Sequence, residues 1–168
     1  MKLLLLRHGP AGDRVRWREL GKEDFLRPLT AEGRARTRAA VKGLARLVGP
    51  PAAIATSPYA RAAQTADLLA RAFGVEAPEE LDAITPGAPP AAVLPWLAAR
   101  ARLDLVGLVG HEPQLGRLAS WLLAGPEAPF LELKKAGACL LDLGGRPRAG
   151  SAHLLWMLAP AQLRRLGR

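Results

Sequence analysis

The sequence predicts an α/β fold in which helices cover both faces of a mostly parallel (mixed) sheet, a three-layer α/β/α sandwich. Two apolar runs, Leu3-Leu4-Leu5-Leu6 and Leu105-Val106-Gly107-Leu108-Val109, are near-continuous rather than alternating, as strands are when neither face meets water. Segments with helical spacing alternate with such runs, the order that builds βαβ units. Three of the strands end in a polar turn that leads onward to a helix. Their ends share the sheet edge where open α/β folds bind ligands.

The first strand delivers Arg7 and His8 to a turn at Gly9. Residues 10–29 are polar, with no sustained period beyond a short helical turn, and a connection this long is usually a functional loop or a disordered one. Coming directly after His8, it reads as a lid whose arginines face a substrate, or as a solvated loop with Trp17 on the surface. Thr30 has the chemistry of a helix N-cap, and Thr37, Val41, Leu44 and Val48 mark the buried side of a helix over residues 31–48. Gly49-Pro50-Pro51 stops it, and residues 53–56 form the next strand. Ser57-Pro58 supplies an N-cap and a first-turn proline for a helix over 58–73, buried along Ala62, Ala66, Leu69 and Phe73. Arg61, in its first turn, leans back toward the end of the preceding strand, on the same edge as His8.

Residues 75–77 and 81–84 have the composition of short extended pieces, and a helix follows over about 91–102 with Pro95 near its start. The strand over 103–110 ends in Gly110-His111-Glu112-Pro113, and Pro113 opens a helix to about Ala124. His111 therefore stands at a helix N-terminus, where backbone N–H groups favour anions. Residues 130–134 and 138–143 read as two strands around Lys135-Ala136-Gly137, 152–158 as a last strand, and Pro160 as the start of a short basic helix. Without repeats, low-complexity tracts or a second core, the expectation is one domain over residues 1–168.

Composition excludes several classes. The single cysteine, Cys139, rules out an internal disulfide and a cysteine-based zinc cluster, and in its apolar run it reads as a buried structural thiol. The apolar runs fall short of a membrane span, and the first residues lack a secretory signal, so the expectation is a cytoplasmic protein without a membrane partner. Lys and Arg number 24 against 15 Asp and Glu, a formal charge of +9. The basic residues are spread along the chain, aromatics are 5 % and no nucleic-acid signature appears, so the charge points to an anionic substrate rather than to nucleic acid. His153 reads as a packed or hydrogen-bonded structural residue.

Arg7 with His8, Arg61, and His111 thus converge on one edge. Two guanidiniums and a helix-terminal imidazole would neutralise a phosphate and donate to its oxygens. The set resembles the histidine phosphatase superfamily, which includes the phosphoglycerate mutases. The resemblance is carried by Arg7-His8-Gly9, by Ser57-Pro58-Tyr59-Ala60-Arg61-Ala62-Ala63-Gln64-Thr65-Ala66, by Gly110-His111-Glu112-Pro113, and by Arg27-Pro28-Leu29-Thr30 with Gly33. Small size, Thr85-Pro86-Gly87 and the Lys134-Lys135-Ala136-Gly137 run resemble the SixA-type phosphohistidine phosphatases in particular.

The resemblance implies a phosphoglycerate-mutase-like fold and a metal-independent phosphatase without cofactor. It implies that His8 is the nucleophile of a phosphohistidine intermediate, with Arg7, Arg61, His111 and Gly9 around the phosphate, and that inorganic phosphate is released. An imidazole nitrogen can attack phosphorus if its other nitrogen is held as a donor, and a backbone carbonyl near Gly9 is the expected acceptor. Asp82 and Glu112 are the candidate proton donors to a leaving group. Each has a bland counterpart, a solvated loop carboxylate for Asp82 and a helix-start residue for Glu112. The substrate read from this set is phosphohistidine in a protein; a small phosphate ester, acted on by a phosphatase or mutase, and a non-catalytic phosphate sensor are the alternatives.

Overall fold

Each strand that the sequence predicts as wholly apolar is sandwiched. A computed structural model describes residues 1–126 and 129–168. These residues form a six-stranded sheet from β1 (Lys2–Arg7), β2 (Ala53–Thr56), β3 (Glu79–Glu80), β4 (Leu105–Gly110), β5 (Ala138–Asp142) and β6 (His153–Leu158), in the order β3-β2-β4-β1-β5-β6. The pairings β1 with β4, β2 with β4 and β2 with β3 are parallel, whereas β5 pairs antiparallel with both β1 and β6. The sheet is mixed and mostly parallel, as predicted.

Alternation within β1 divides the core in two. Leu3 and Leu5 pack with Val106, Leu108 and Cys139 under helices α4 (Leu94–Ala98) and α5 (Gln114–Ala124). Leu4 and Leu6 pack with Ile54, Val109 and Leu140 under α2 (Ala31–Leu44), α3 (Ala60–Phe73) and α6 (Pro160–Leu166). All four leucines are fully buried. A strand whose two faces both meet a core must be apolar at every position. Cys139 is buried with them, and desolvation pushes its thiol up to about 12, which keeps it un-ionised. Among the described residues no helix is long and apolar enough to cross a membrane.

Several boundaries differ from those expected. The alternation of residues 130–134 does not become a strand. Its backbone is claimed by side chains instead: Phe130 and Leu131 N–H donate to Ser120 Oγ, Leu133 N–H donates to Glu112 Oε1, and Leu133 O accepts from Arg7 Nη1. The helix predicted over 58–73 begins at Ala60 with no side-chain cap on its first turn; Ser57 Oγ lies 2.9 Å from His111 Nε2 and accepts a long bond from Tyr59 N–H. α2 ends at Leu44 and continues to Leu47 only as tight turns. The helix expected over 91–102 is a 3-10 turn (Pro90–Val93) followed by the short α4, since Pro90 and Pro95 lack the N–H groups a longer ladder needs. Neither extended piece expected at 75–77 and 81–84 becomes a strand: the pairing residues are Glu79–Glu80 between them, and Asp82–Ile84 is a 3-10 turn. His153 is exposed on the edge strand β6 rather than packed.

The turn after β1 is pressed onto α2. A Cβ built on Gly33, in the first turn of α2, would stand 1.9 Å from the carbonyl oxygen of Pro10, and one on Gly9 would stand 2.0 Å from Thr37 Oγ1. Both glycines allow a backbone approach that any side chain would block. Replacing a helical glycine by alanine ordinarily stabilises by up to about 1 kcal/mol. Gly33→Ala is expected to do the opposite, costing about 2 kcal/mol through overpacking and lowering the melting temperature by roughly 5 °C in a scanning calorimeter.

Candidate active site

β1, β2 and β4 run parallel, so the residues that follow them emerge on one edge. There Arg7, His8, Arg61, His111, Arg27, Asp24, Tyr59, Glu112 and Lys135 line a cleft of about 720 Å³. The structure thus brings together the four residues predicted from three separate strand–loop–helix units.

His8 is 7 % exposed and is held from both sides. Its Nδ1 lies 2.7 Å from the Gly9 carbonyl oxygen, so Nδ1 carries the ring proton and donates it there. Its Nε2 accepts from Arg61 Nε at 3.3 Å, which requires an unprotonated nitrogen with a free lone pair. Burial pushes the imidazole down to about 3; the Gly9 carbonyl opposes this, while the charges of Arg61, Arg7 and Lys135 add to it. A neutral ring with its lone pair on Nε2 is what a nucleophile needs.

Gly9 positions this ring rather than binding an anion. Its carbonyl serves His8, and its N–H donates to Thr65 Oγ1, which in turn donates to the carbonyl of Arg61. No Gly9 N–H is left for a phosphate oxygen. Thr65 thereby ties the nucleophile's turn to the helix that carries Arg61, and Gln64 Oε1 accepts from Leu29 N–H, tying the same helix to the end of the 10–29 loop.

His111 is 2 % exposed, with its ring centroid 5.0 Å from that of His8. Burial pushes its pKa down to about 3 as well, with His8 and Arg61 as further causes. Ser57 Oγ sits on Nε2, and His111 Nδ1 has no protein partner among the described residues. With the Ser57 hydroxyl donating, Nδ1–H is an unclaimed donor in the cleft. Arg7 is held by the Leu133 carbonyl through Nη1, and its Nε is buried without a partner. Two buried donors without acceptors, beside a ring that lacks a proton on Nε2, fit an anion.

The two candidate acids separate. Asp82 is exposed at the start of a 3-10 turn and does not line the cleft. Glu112 does line it, half-buried, with desolvation raising its pKa against the opposing bonds from Leu133 and Gly116 N–H. Its carboxylate accepts from Leu133 N–H at 3.0 Å, and α5 begins with no side-chain cap bond.

Two residues of the site, Ser57 bonded to His111 and Asp24 on the cleft wall, were given no role there by the sequence. Ser57 was disguised by its proline as a helix cap. Asp24 lies in the stretch without a period, in a 3-10 turn (Asp24–Leu26), yet it bonds Arg27 at 2.7 Å and Arg61 at 3.1 Å. Arg27 itself, 9 % exposed, also donates to the Gly12 carbonyl. The 10–29 loop is thus fastened through Asp24, which bonds Arg61, and through Leu29, while α1 (Arg14–Glu19), capped by Asp13, buries no residue.

The buried histidines make folding pH-dependent. Their folded pKa values lie below the unfolded value of 6.5, so the unfolded chain binds more protons as pH falls. Stability is full above about pH 6.5 and declines from there toward pH 3. By pH 5 the loss is about 2 kcal/mol per buried imidazole. Urea unfolding at pH 7 and pH 5 is expected to show this drop, and the His8→Ala/His111→Ala pair is expected to flatten it.

Comparison with known proteins agrees with this geometry. Residues 3–85 match the model of the histidine phosphatase superfamily (branch 1). An uncharacterized protein of Picosynechococcus sp. is 38 % identical over 162 residues, covering 94 % of this chain and 95 % of that one. Among solved structures, the protein histidine phosphatase SixA complexed with tungstate superposes with a TM-score of 0.80 at 24 % identity, covering 97 % of this chain and 99 % of that one. A SixA-type protein of Agrobacterium tumefaciens gives 0.74 at 25 %, covering 95 % and 97 %. A mycobacterial glucosyl-3-phosphoglycerate phosphatase complexed with VO3 gives 0.69 at 20 %, covering 94 % and 98 %. The fold is therefore the phosphoglycerate-mutase-like one, and the chain belongs to the histidine phosphatase superfamily, branch 1.

Proposed function

We propose that the protein is a phosphatase that passes a phosphoryl group through His8, and that its substrate is phosphohistidine carried by a protein. The observation that carries the reading is the clamped imidazole, with Nδ1–H on the Gly9 carbonyl and the lone pair of Nε2 free of a proton. In the first step Nε2 attacks phosphorus, the N–P bond to His8 forms, and the bond to the leaving group breaks with its electron pair. In the second step water attacks the phosphorus of phospho-His8, and inorganic phosphate leaves as Nε2 regains its lone pair. Arg7, Arg61, Arg27 and His111 carry the donors that meet charge on the transferring oxygens, so guanidiniums supply the positive charge of the site. The Gly9 carbonyl stabilises the ring as it becomes positive.

Likeness to SixA-type proteins supports the phosphohistidine substrate, and so does leaving-group chemistry. A protonated imidazole departs without a dedicated acid, and of the two candidate acids the one that lines the cleft, Glu112, already accepts the Leu133 N–H bond. His8→Ala is expected to abolish phosphate release from a phosphorylated histidine-containing domain, a loss of about 10³-fold or more in kcat, read as liberated phosphate. Phosphate release that persists in that variant overturns the mechanism.

One observation favours a second reading, hydrolysis of a small phosphate ester. Desolvation raises the pKa of Glu112, the direction needed for a general acid that protonates an alkoxide. Under that reading Glu112→Gln lowers kcat on phosphomonoesters by about 10²-fold or more and leaves turnover of a phosphohistidine peptide within a few-fold. Under the leading reading, kcat/KM measured across a panel of both substrate types favours the phosphohistidine peptides.

A further inference from the structure

The arginines of the cleft are not waiting empty-handed. Asp24 Oδ2 accepts from Arg61 Nη2 at 3.1 Å, its backbone carbonyl accepts from Arg61 Nη1 at 2.9 Å, and its Oδ1 accepts from Arg27 Nε at 2.7 Å. Arg61 Nε is taken by His8, so every nitrogen of this guanidinium already has a protein acceptor. The two arginines are 5 % and 9 % exposed, and the Asp24 side chain is 30 % exposed, open toward the cleft it lines. Arg14 stands farther off, 3.9 Å from Oδ1. Burial alone would raise the pKa of Asp24, but the bond from Arg27 and the charges of Arg61, Arg27 and Arg14 outweigh it and hold the carboxyl below its ordinary value. It is an anion at any working pH, placed where an anionic ligand would sit.

We propose that Asp24 is a built-in counter-ion of the phosphate cradle, one that an incoming phosphoryl group must displace from Arg61 and Arg27. The inference rests on the reading of the cleft as a phosphate site. A carboxylate and a phosphate cannot share two guanidiniums without repelling each other at a few ångströms. Asp24 therefore acts as a positioning residue with two effects. It keeps the two guanidinium planes facing the cleft while it is unoccupied, and it weakens the hold on the product phosphate, which has no covalent bond to His8 to compensate. It is also a contact through which the 13–26 segment is fastened to α3, together with the tilted packing of Phe25 against Tyr59, just before that helix, with ring centroids 5.2 Å apart. Displacing Asp24 loosens that segment.

Inorganic phosphate is the probe. Isothermal titration at pH 7.5 is expected to show Asp24→Asn, which keeps the shape and an acceptor but not the charge, binding phosphate more tightly than the unaltered protein by on the order of tenfold. In turnover the same variant is expected to show stronger inhibition by phosphate together with a lower kcat, a split that a merely destabilising change does not give. Equal or weaker phosphate binding in a variant with an unchanged melting temperature overturns the proposal.

The unaltered protein supplies a second test that needs no variant. Arg14, Arg16, Arg18 and Lys22 are exposed trypsin sites on the fastened segment. Saturating phosphate is expected to speed cleavage there, against the usual protection by a ligand, and slower or unchanged cleavage contradicts the displacement. Phosphate that fails to bind either form overturns both this proposal and the phosphate reading of the cleft, whereas binding that is indifferent to Asp24 overturns this proposal alone.

Discussion

An imidazole buried between guanidiniums cannot hold a second proton, and its single proton must find an acceptor. In this protein the acceptor is the carbonyl of Gly9, 2.7 Å from His8 Nδ1. That bond decides the tautomer, leaves the lone pair on Nε2, and turns Nε2 toward Arg61. The supporting parts are arranged around it. Gly9 can offer its carbonyl because its own N–H is taken by Thr65 and because the lack of a side chain lets it lie against Thr37. Thr65 returns its hydroxyl proton to the Arg61 carbonyl, so nucleophile and guanidinium are registered through one threonine.

The sheet makes this registration affordable. Arg7 and His8 leave β1 between β4 and β5, and the antiparallel β5 brings the backbone of Ala136 and Gly137 back onto the same edge, where Ala136 N–H bonds the carbonyls of Arg7 and His8. His111 follows β4, and Arg61 follows β2 one strand farther out. Two desolvated imidazoles and two desolvated arginines are costly to bury. They are held by strands whose leucines and valines are buried on both faces, which is where a site of this charge finds a rigid support.

Much of this was legible in the sequence because the same physics wrote it twice. A strand with no wet face needs an unbroken apolar run, so β1 and β4 announced themselves, and a polar pair directly after such a run has to stand at the sheet edge. Arg7, His8 and His111 were readable for that reason, and Arg61 because a side chain in the first turn of a helix leans back toward the strand before it. Asp24 was not, because its position depends on a loop folding back onto α3, and neither period nor propensity records such a return. Ser57 was misread because Ser-Pro is equally good as a helix start, and only the position of His111 decides its partner. Residues 130–134 were misread as a strand because Phe130, Leu131 and Leu133 imitate one; the backbone bonds went to Ser120, Glu112 and Arg7 instead. Local pattern predicted what the sheet dictates, and long-range side-chain bonds overrode it where the sheet stops.

The mechanism turns on which atom of which ring accepts the phosphoryl group. Rapid quenching in base during turnover, followed by tandem mass spectrometry and phosphorus–nitrogen NMR of the isolated peptide, reads that atom directly. The structure predicts acid-labile phosphate on Nε2 of His8, because Nδ1 is committed to the Gly9 carbonyl. Phosphate on Nδ1, phosphate on another residue, or turnover with no phosphorylated protein at any time would contradict it.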